Sequence, residues 1–169
     1  MERIAAVLER ERELLELLLF KLVETRLILE SGEVRFLSRA TREVERARTR
    51  TREVDLMRAA TVAQHADGST LRRLAATAPE PWPGIFRDHH DLLVALVAEI
   101  EVTAHRNAGE ARSGLDSLRL AKVSAGMTEH PGVDRRDAEL VRLAQGAAYE
   151  TVLATASRLR MPDLLDFLR

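Results

Sequence analysis

The chain has 169 residues, 46% hydrophobic and 31% charged, which suits one packed core in a well-solvated molecule. The absence of cysteine excludes disulfides, thiolate metal sites and a cysteine nucleophile, and 26 basic against 27 acidic residues (net charge -1) favour neither a nucleic acid nor an anionic membrane as partner. With aromatics at 4%, eight Gly and five Pro, turn-formers are too few for a sandwich or barrel; Ala, Leu, Glu and Arg dominate, and the composition predicts an all-α protein.

The first helix is expected from about Glu2 to Glu30, because Ile4, Leu8, Leu15, Leu18, Leu22 and Leu29 recur at steps of three and four, with Glu11 and Thr25 at the gaps. From Leu14 to Val23 it is apolar almost all round, which demands cover on more than one side. Ser31-Gly32 breaks the pattern as a helix C-cap. A second helix, about Glu33 to Gln64, carries Leu37, Ala40, Val44, Ala47, Val54, Met57 and Thr61 on one stripe, and so short a connection predicts an antiparallel hairpin. After the turn Asp67-Gly68-Ser69, Ser69 is placed to cap a short helix from Thr70 to Ala78. Pro79 to Gly84 forms a stiff connector, with Trp82 expected to plug one end of the bundle.

A third long helix, about Ile85 to Val123, has the stripe Phe86, Leu93, Val97, Ile100, Ala104, Ala108, Ala111, Leu115 and Leu118. Gly109 and Gly114, each costing about 1 kcal/mol against Ala, make its second half helical only when something packs on it. Residues 124–133 read as a flexible linker. A fourth helix starts at Asp134 or Asp137 and reaches about Arg160, with the stripe Leu140, Leu143, Ala147, Thr151, Ala154 and Arg158. Pro162 ends it, and an apolar helical turn closes the chain. The architecture expected is an antiparallel bundle, a hairpin plus a third long helix over residues 1–123, with a C-terminal helical segment (134–169) docked on it. Tyr149, Leu153, Leu159, Leu164, Leu165, Phe167 and Leu168 are its expected anchors, against the first and third helices.

Catalytic signatures are absent. His89 and His90 are adjacent and point about 100° apart on a helix, so they cannot share an ion, and His65, His105 and His130 lie elsewhere; no metal or other cofactor is expected. There is no G-x-S-x-G, P-loop or G-x-G-x-x-G, and no enzymatic function is expected. The second helix carries Arg35, Arg39, Arg42, Arg46, Arg48, Arg50, Arg52 and Arg58, but interleaved Glu and Asp make a solvated, internally paired face the simpler reading than a phosphate-binding one. No apolar run approaches the ~20 residues that span a bilayer, and the highly charged first 13 residues show no signal-peptide pattern, so a cytoplasmic location is expected. What stands out is excess apolar surface: the Leu14–Val23 band and the Leu164, Leu165, Phe167, Leu168 cluster both need partners, as a helix-accepting groove and its occupant would.

Glu9-Arg10-Glu11-Arg12-Glu13-Leu14-Leu15-Glu16-Leu17-Leu18-Leu19-Phe20-Lys21-Leu22 resembles the opening of the FlgN-like flagellar export chaperones, particularly actinobacterial ones. The resemblance continues through Leu37 to Glu45, returns at Leu74 to Trp82 and around Glu99-Ile100 with Asn107, and covers roughly residues 1–123. It implies a chaperone that holds the C-terminal helical segment of hook–filament junction proteins (FlgK and FlgL types) and delivers it to the flagellar type III export apparatus. Carried over, the client face is Leu93, Val97, Ile100, Ala104, Asn107, Ala111, Leu115 and Leu118. The C-terminal part departs from that family: Ala147-Ala148-Tyr149, Leu153-Ala154-Thr155-Ala156 and Leu164-Leu165-Asp166-Phe167-Leu168-Arg169 are similar to the tail of an FlgL-type junction protein. The chain therefore reads as a chaperone carrying a client tail, either fused by design or built in as a mimic. The alternatives are a filament-type structural protein, argued against by the short region between its terminal helices, and an Arg-rich nucleic-acid-binding bundle.

Overall fold

The computed structural model describes residues 1–127 and 134–169. Its elements are α1 (Glu2–Ser31), a 3-10 turn (Val34–Phe36), α2 (Leu37–Ala66), α3 (Leu71–Thr77), α4 (Trp82–Met127), α5 (Asp134–Ser157) and α6 (Pro162–Leu168), with no strand among the described residues. The all-α expectation holds. Helix α4 runs four residues beyond Val123, so Ser124 to Met127 are helical; the rest of the expected linker lies outside the described residues.

Helix α1 buries Ile4, Leu8, Leu15, Leu18 and Leu22 together with Glu11 and Thr25, the two polar positions in its apolar stripe. It ends as its sequence requires. Gly32 has φ 72, a left-handed conformation that a Cβ disfavours, and its amide donates to the Leu29 carbonyl at 3.1 Å. The chain then turns back into α2, and three contacts fix the antiparallel register: Lys21 Nζ with Glu43 at 2.5 Å, Thr51 Oγ1 with the Leu14 carbonyl at 3.5 Å, and Arg58 Nε with Glu11 at 3.1 Å.

The buried stripe of α2 departs from the expectation at its C-terminal end. Met57 is exposed and Thr61 only half-buried, while Arg58 and Val62 are buried. The helix turns this way because Glu11 lies buried opposite and takes Arg58 as its partner. In α3 the cap is Thr70, not Ser69: its hydroxyl accepts from the Arg73 amide at 3.3 Å. Trp82 stacks on Phe86 with ring centroids 5.9 Å apart and packs on the main core, in keeping with a plug at this end.

Helix α3 returns the chain so that α4 runs parallel to α1: Glu9 faces His89, and Asn107 donates to the Leu22 carbonyl at 2.9 Å. Helix α5 then descends antiparallel to α4 and lies between α4 and α2. The tail was expected on the first and third long helices and meets more than these: α5 rests on α4 and also on α2, α6 meets α3 and α4, and Leu159, Leu164, Phe167 and Leu168 share the main core with Ile4, Leu8 and Leu15 of α1. The face of α5 is also corrected. Leu140 and Leu143 are 63% and 64% exposed, and Ala147, Thr151, Ala154 and Arg158 are exposed as well. The buried side chains are instead Ala148, Val152, Thr155 and, just past the helix, Leu159, one position along at each step.

Candidate functional site

The seat of the C-terminal segment has three parts. The upper part is a small core in which Val34 and Leu37 from the hairpin turn, with Ala111 of α4, meet Ala148 and Val152 of α5; Tyr149 and Leu153 pack at its margin. Gly114 makes this fit possible. A Cβ built on it would lie 2.6 Å from Cε1 and 2.8 Å from Cε2 of Tyr149, so the tyrosine ring occupies the space that any other residue would fill. The glycine read as a weak point of the helix is thus a socket.

The middle part is a cleft of about 830 Å³ between α2 and α5, with Ser38, Thr41, Arg42, Glu45, Arg46, Glu150 and Thr155 among its lining residues. Arg158 spans it to reach Glu45 Oε1 at 3.3 Å, and Glu45 also holds Arg48 at 2.9 Å. Several of the arginines assigned to the second helix are paired: Arg35, which falls in the 3-10 turn, with Glu33, and in α2 Arg39 with Glu43, Arg48 with Glu45, and Arg58 with Glu11 and Asp55. Arg42, Arg46, Arg50 and Arg52 make no ion pair among the described residues, so the internally paired face is only half of the picture.

The lower part lies where α5 turns into α6. Leu159, Leu164, Phe167 and Leu168 are buried in the same cluster as Ile4, Leu8, Leu15, Leu93, Val97 and Ile100. Leu165, expected among the anchors, is 37% exposed, because the seven-residue α6 turns only its Leu164, Phe167 and Leu168 face inward. Beneath it sits a pair of buried charges. Glu11 is 0% and Arg58 2% exposed; Arg58 Nε lies 3.1 Å from Oε1 and 3.0 Å from Oε2 of Glu11, and its Nη2 pairs with Asp55. Burial pushes the Glu11 carboxyl up to about 7, against the opposing pull of Arg58. The Arg58 guanidinium carbon stands 4.3 Å from the centroid of the Phe167 ring. A cavity of about 240 Å³ adjoins this pair, lined by Glu11, Asp55, Arg52, Met161, Asp163 and Leu164 among others.

The structure divides the candidate client face of α4. Leu93, Val97, Ile100 and Ala104 are buried in the main core, which they share with α1 side chains and with the ends of α5 and α6. Asn107 is turned to α1, donating to Leu22 while its own Oδ1 is buried without a partner. Ala111 faces α5, and Leu115 and Leu118 are half-buried beyond it. The face is therefore mainly the seam between α4 and α1, and the tail covers its two ends.

Among the described residues the histidines form no site; His130 lies outside them. His90 Nδ1 sits 2.9 Å from Asp91, and His89, whose charged form burial disfavours, has a buried Nδ1 without a partner. No group of three His, Asp or Glu side chains could hold a metal ion, and no helix is long and apolar enough to cross a membrane, among the described residues.

Sequence reasoning missed Arg58, which it grouped with the solvated arginines, and Gly114 as a partner of Tyr149. The signal for Arg58 was present: a glutamate at a core position of α1 calls for a cation from the antiparallel neighbour. No protein-family model matches the chain, and no curated protein and no solved structure gives a match.

Proposed function

We propose that residues 1–127 form the receptor part of a non-catalytic flagellar export chaperone, and that residues 134–169 occupy its seat as a client-like tail, fused or built in. The partners are C-terminal helices of hook–filament junction proteins of the FlgK and FlgL types, with delivery to the flagellar export apparatus in the cytoplasm. Beyond the resemblance in sequence, one observation supports this reading. The C-terminal segment meets the other helices as a ligand meets a site, placing Tyr149 against a glycine and Leu164, Phe167 and Leu168 into a core built by α1, α3 and α4. Tethering makes such docking intramolecular, with an effective concentration in the mM range for a short linker, so even a weak tail fills its seat.

The test is exchange. A protease site placed within residues 128–133 is cut, and a fluorescent peptide of residues 134–169 is added to the cut chain. The proposal expects the peptide to replace the resident tail one-to-one, and junction-protein tails to compete with it. A tail that leaves only when residues 1–127 unfold would make α5 and α6 ordinary bundle helices. A second reading is favoured by the four unpaired arginines of α2: a nucleic-acid surface, which requires duplex affinity that falls steeply with salt.

A further inference from the structure

Phe167 rests on a cation with little freedom. Glu11 of α1 and Asp55 of α2 take Nε and Nη2 of the Arg58 guanidinium, so two contacts from the hairpin hold the ion in one orientation without any from α6. The π-face of the ion is turned to the tail, with the Phe167 ring centroid 4.3 Å away. A desolvated guanidinium attracts the negative face of an aromatic ring more strongly than it would in water, whereas an aliphatic side chain of similar size only fills the volume. Arg58 is the only cation buried at this depth among the described residues, and it lies where α6 closes the core.

We propose that Arg58 is the specificity residue of the seat, selecting an aromatic side chain in the docked terminal helix. The partner class follows from the spacing. Leu164, Phe167 and Leu168 fall at i, i+3 and i+4 on one face of α6, so the seat takes a short amphipathic helix of pattern Leu-x-x-Phe-Leu. Glu11 is a positioning residue: it acts by holding Arg58. The assignment of a partner class rests on the receptor reading above; the contact between Arg58 and Phe167 does not.

The experiment is a double-mutant cycle on the full chain, followed by urea unfolding; the cost of leaving Glu11 unpaired is common to both arms that carry Arg58→Met and cancels in the coupling. Phe167→Leu, Arg58→Met and both together are compared. The expected result is coupling: Phe167→Leu lowers the folding constant about tenfold more with Arg58 present than after Arg58→Met, a difference of ~1.4 kcal/mol. Losses that simply multiply would overturn the proposal. Should the double variant not fold, semisynthesis with cyclohexylalanine in place of Phe167 keeps the volume and removes the ring's charge distribution. The proposal then expects a loss of about tenfold, and unchanged stability overturns it. Coupling without displacement of the cut tail leaves the Arg58 contact standing and removes the receptor; displacement without coupling does the reverse.

Discussion

Glu11 and Gly114 are the two residues whose roles run against their ordinary reputations. A carboxyl inside a leucine stripe is held by Arg58, yet its burial still raises it from 4.5 to about 7. Between those values the folded chain keeps a proton that the unfolded chain has released. This group's contribution is therefore most favourable at the acid end and worsens as pH rises from about 4.5 to about 7, by about 3 kcal/mol in all. Glu11→Gln abolishes that slope: urea unfolding between about pH 5 and pH 8 is expected to show the variant gaining on the parent as pH rises, and parallel pH profiles would contradict the assignment. Gly114→Ala carries a sign test. With Tyr149 present the new methyl meets the ring, and a net loss of about 1 kcal/mol is expected. With Tyr149→Ala the socket is empty, and the same change gains about 1 kcal/mol of helix propensity. Thermal unfolding of the four variants reads both signs.

At the scale of elements, α1 was legible almost residue by residue, because its large leucines repeat at one phase and its only polar core positions are Glu11 and Thr25. Helix α5 was legible as a helix but not in its rotation. At 147/148, 151/152 and 154/155 it offers neighbouring pairs of small or similar residues, Ala-Ala, Thr-Val and Ala-Thr, which give no apolar contrast to set the phase. The rotation is set from outside, by the glycine that admits Tyr149 and by the burial of Leu159. The C-terminal end of α2 was misread for a related reason: Met57 and Arg58 are adjacent, and hydropathy prefers the methionine until the carboxylate opposite is considered. The orientation of α6 makes a direct prediction. Leu164→Ala is expected to cost about 2–5 kcal/mol in urea unfolding and Leu165→Ala less than about 1, since only the former is buried. Equal losses would mean that α6 sits in another rotation.

For the whole molecule, the all-α class and the hairpin followed from composition and the Gly32 cap, whereas the placement of the tail did not. Placing α5 between α2 and α4 depends on α4 running parallel to α1, which a crossover through α3 decides and no local pattern encodes. The 46 residues of α4 give it a length of ~69 Å against ~45 Å for the 30 residues of α1, so its far end extends past the hairpin turn, where α5 is its neighbour. Candidate contact residues chosen from a family likeness, Leu93 to Asn107, proved to lie on the seam with α1, because a helix in the middle of a bundle must serve two neighbours with one stripe. The central claim is that α5 and α6 are a docked tail on a bundle that holds together without them. Hydrogen exchange on the intact chain, read amide by amide, tests it most directly. The account predicts that α5 and α6 open as one unit, at a free energy below that for global unfolding, while α1, α2 and α4 stay protected. Exchange of all the long helices at one common free energy would contradict it, and would make the chain a single cooperative bundle.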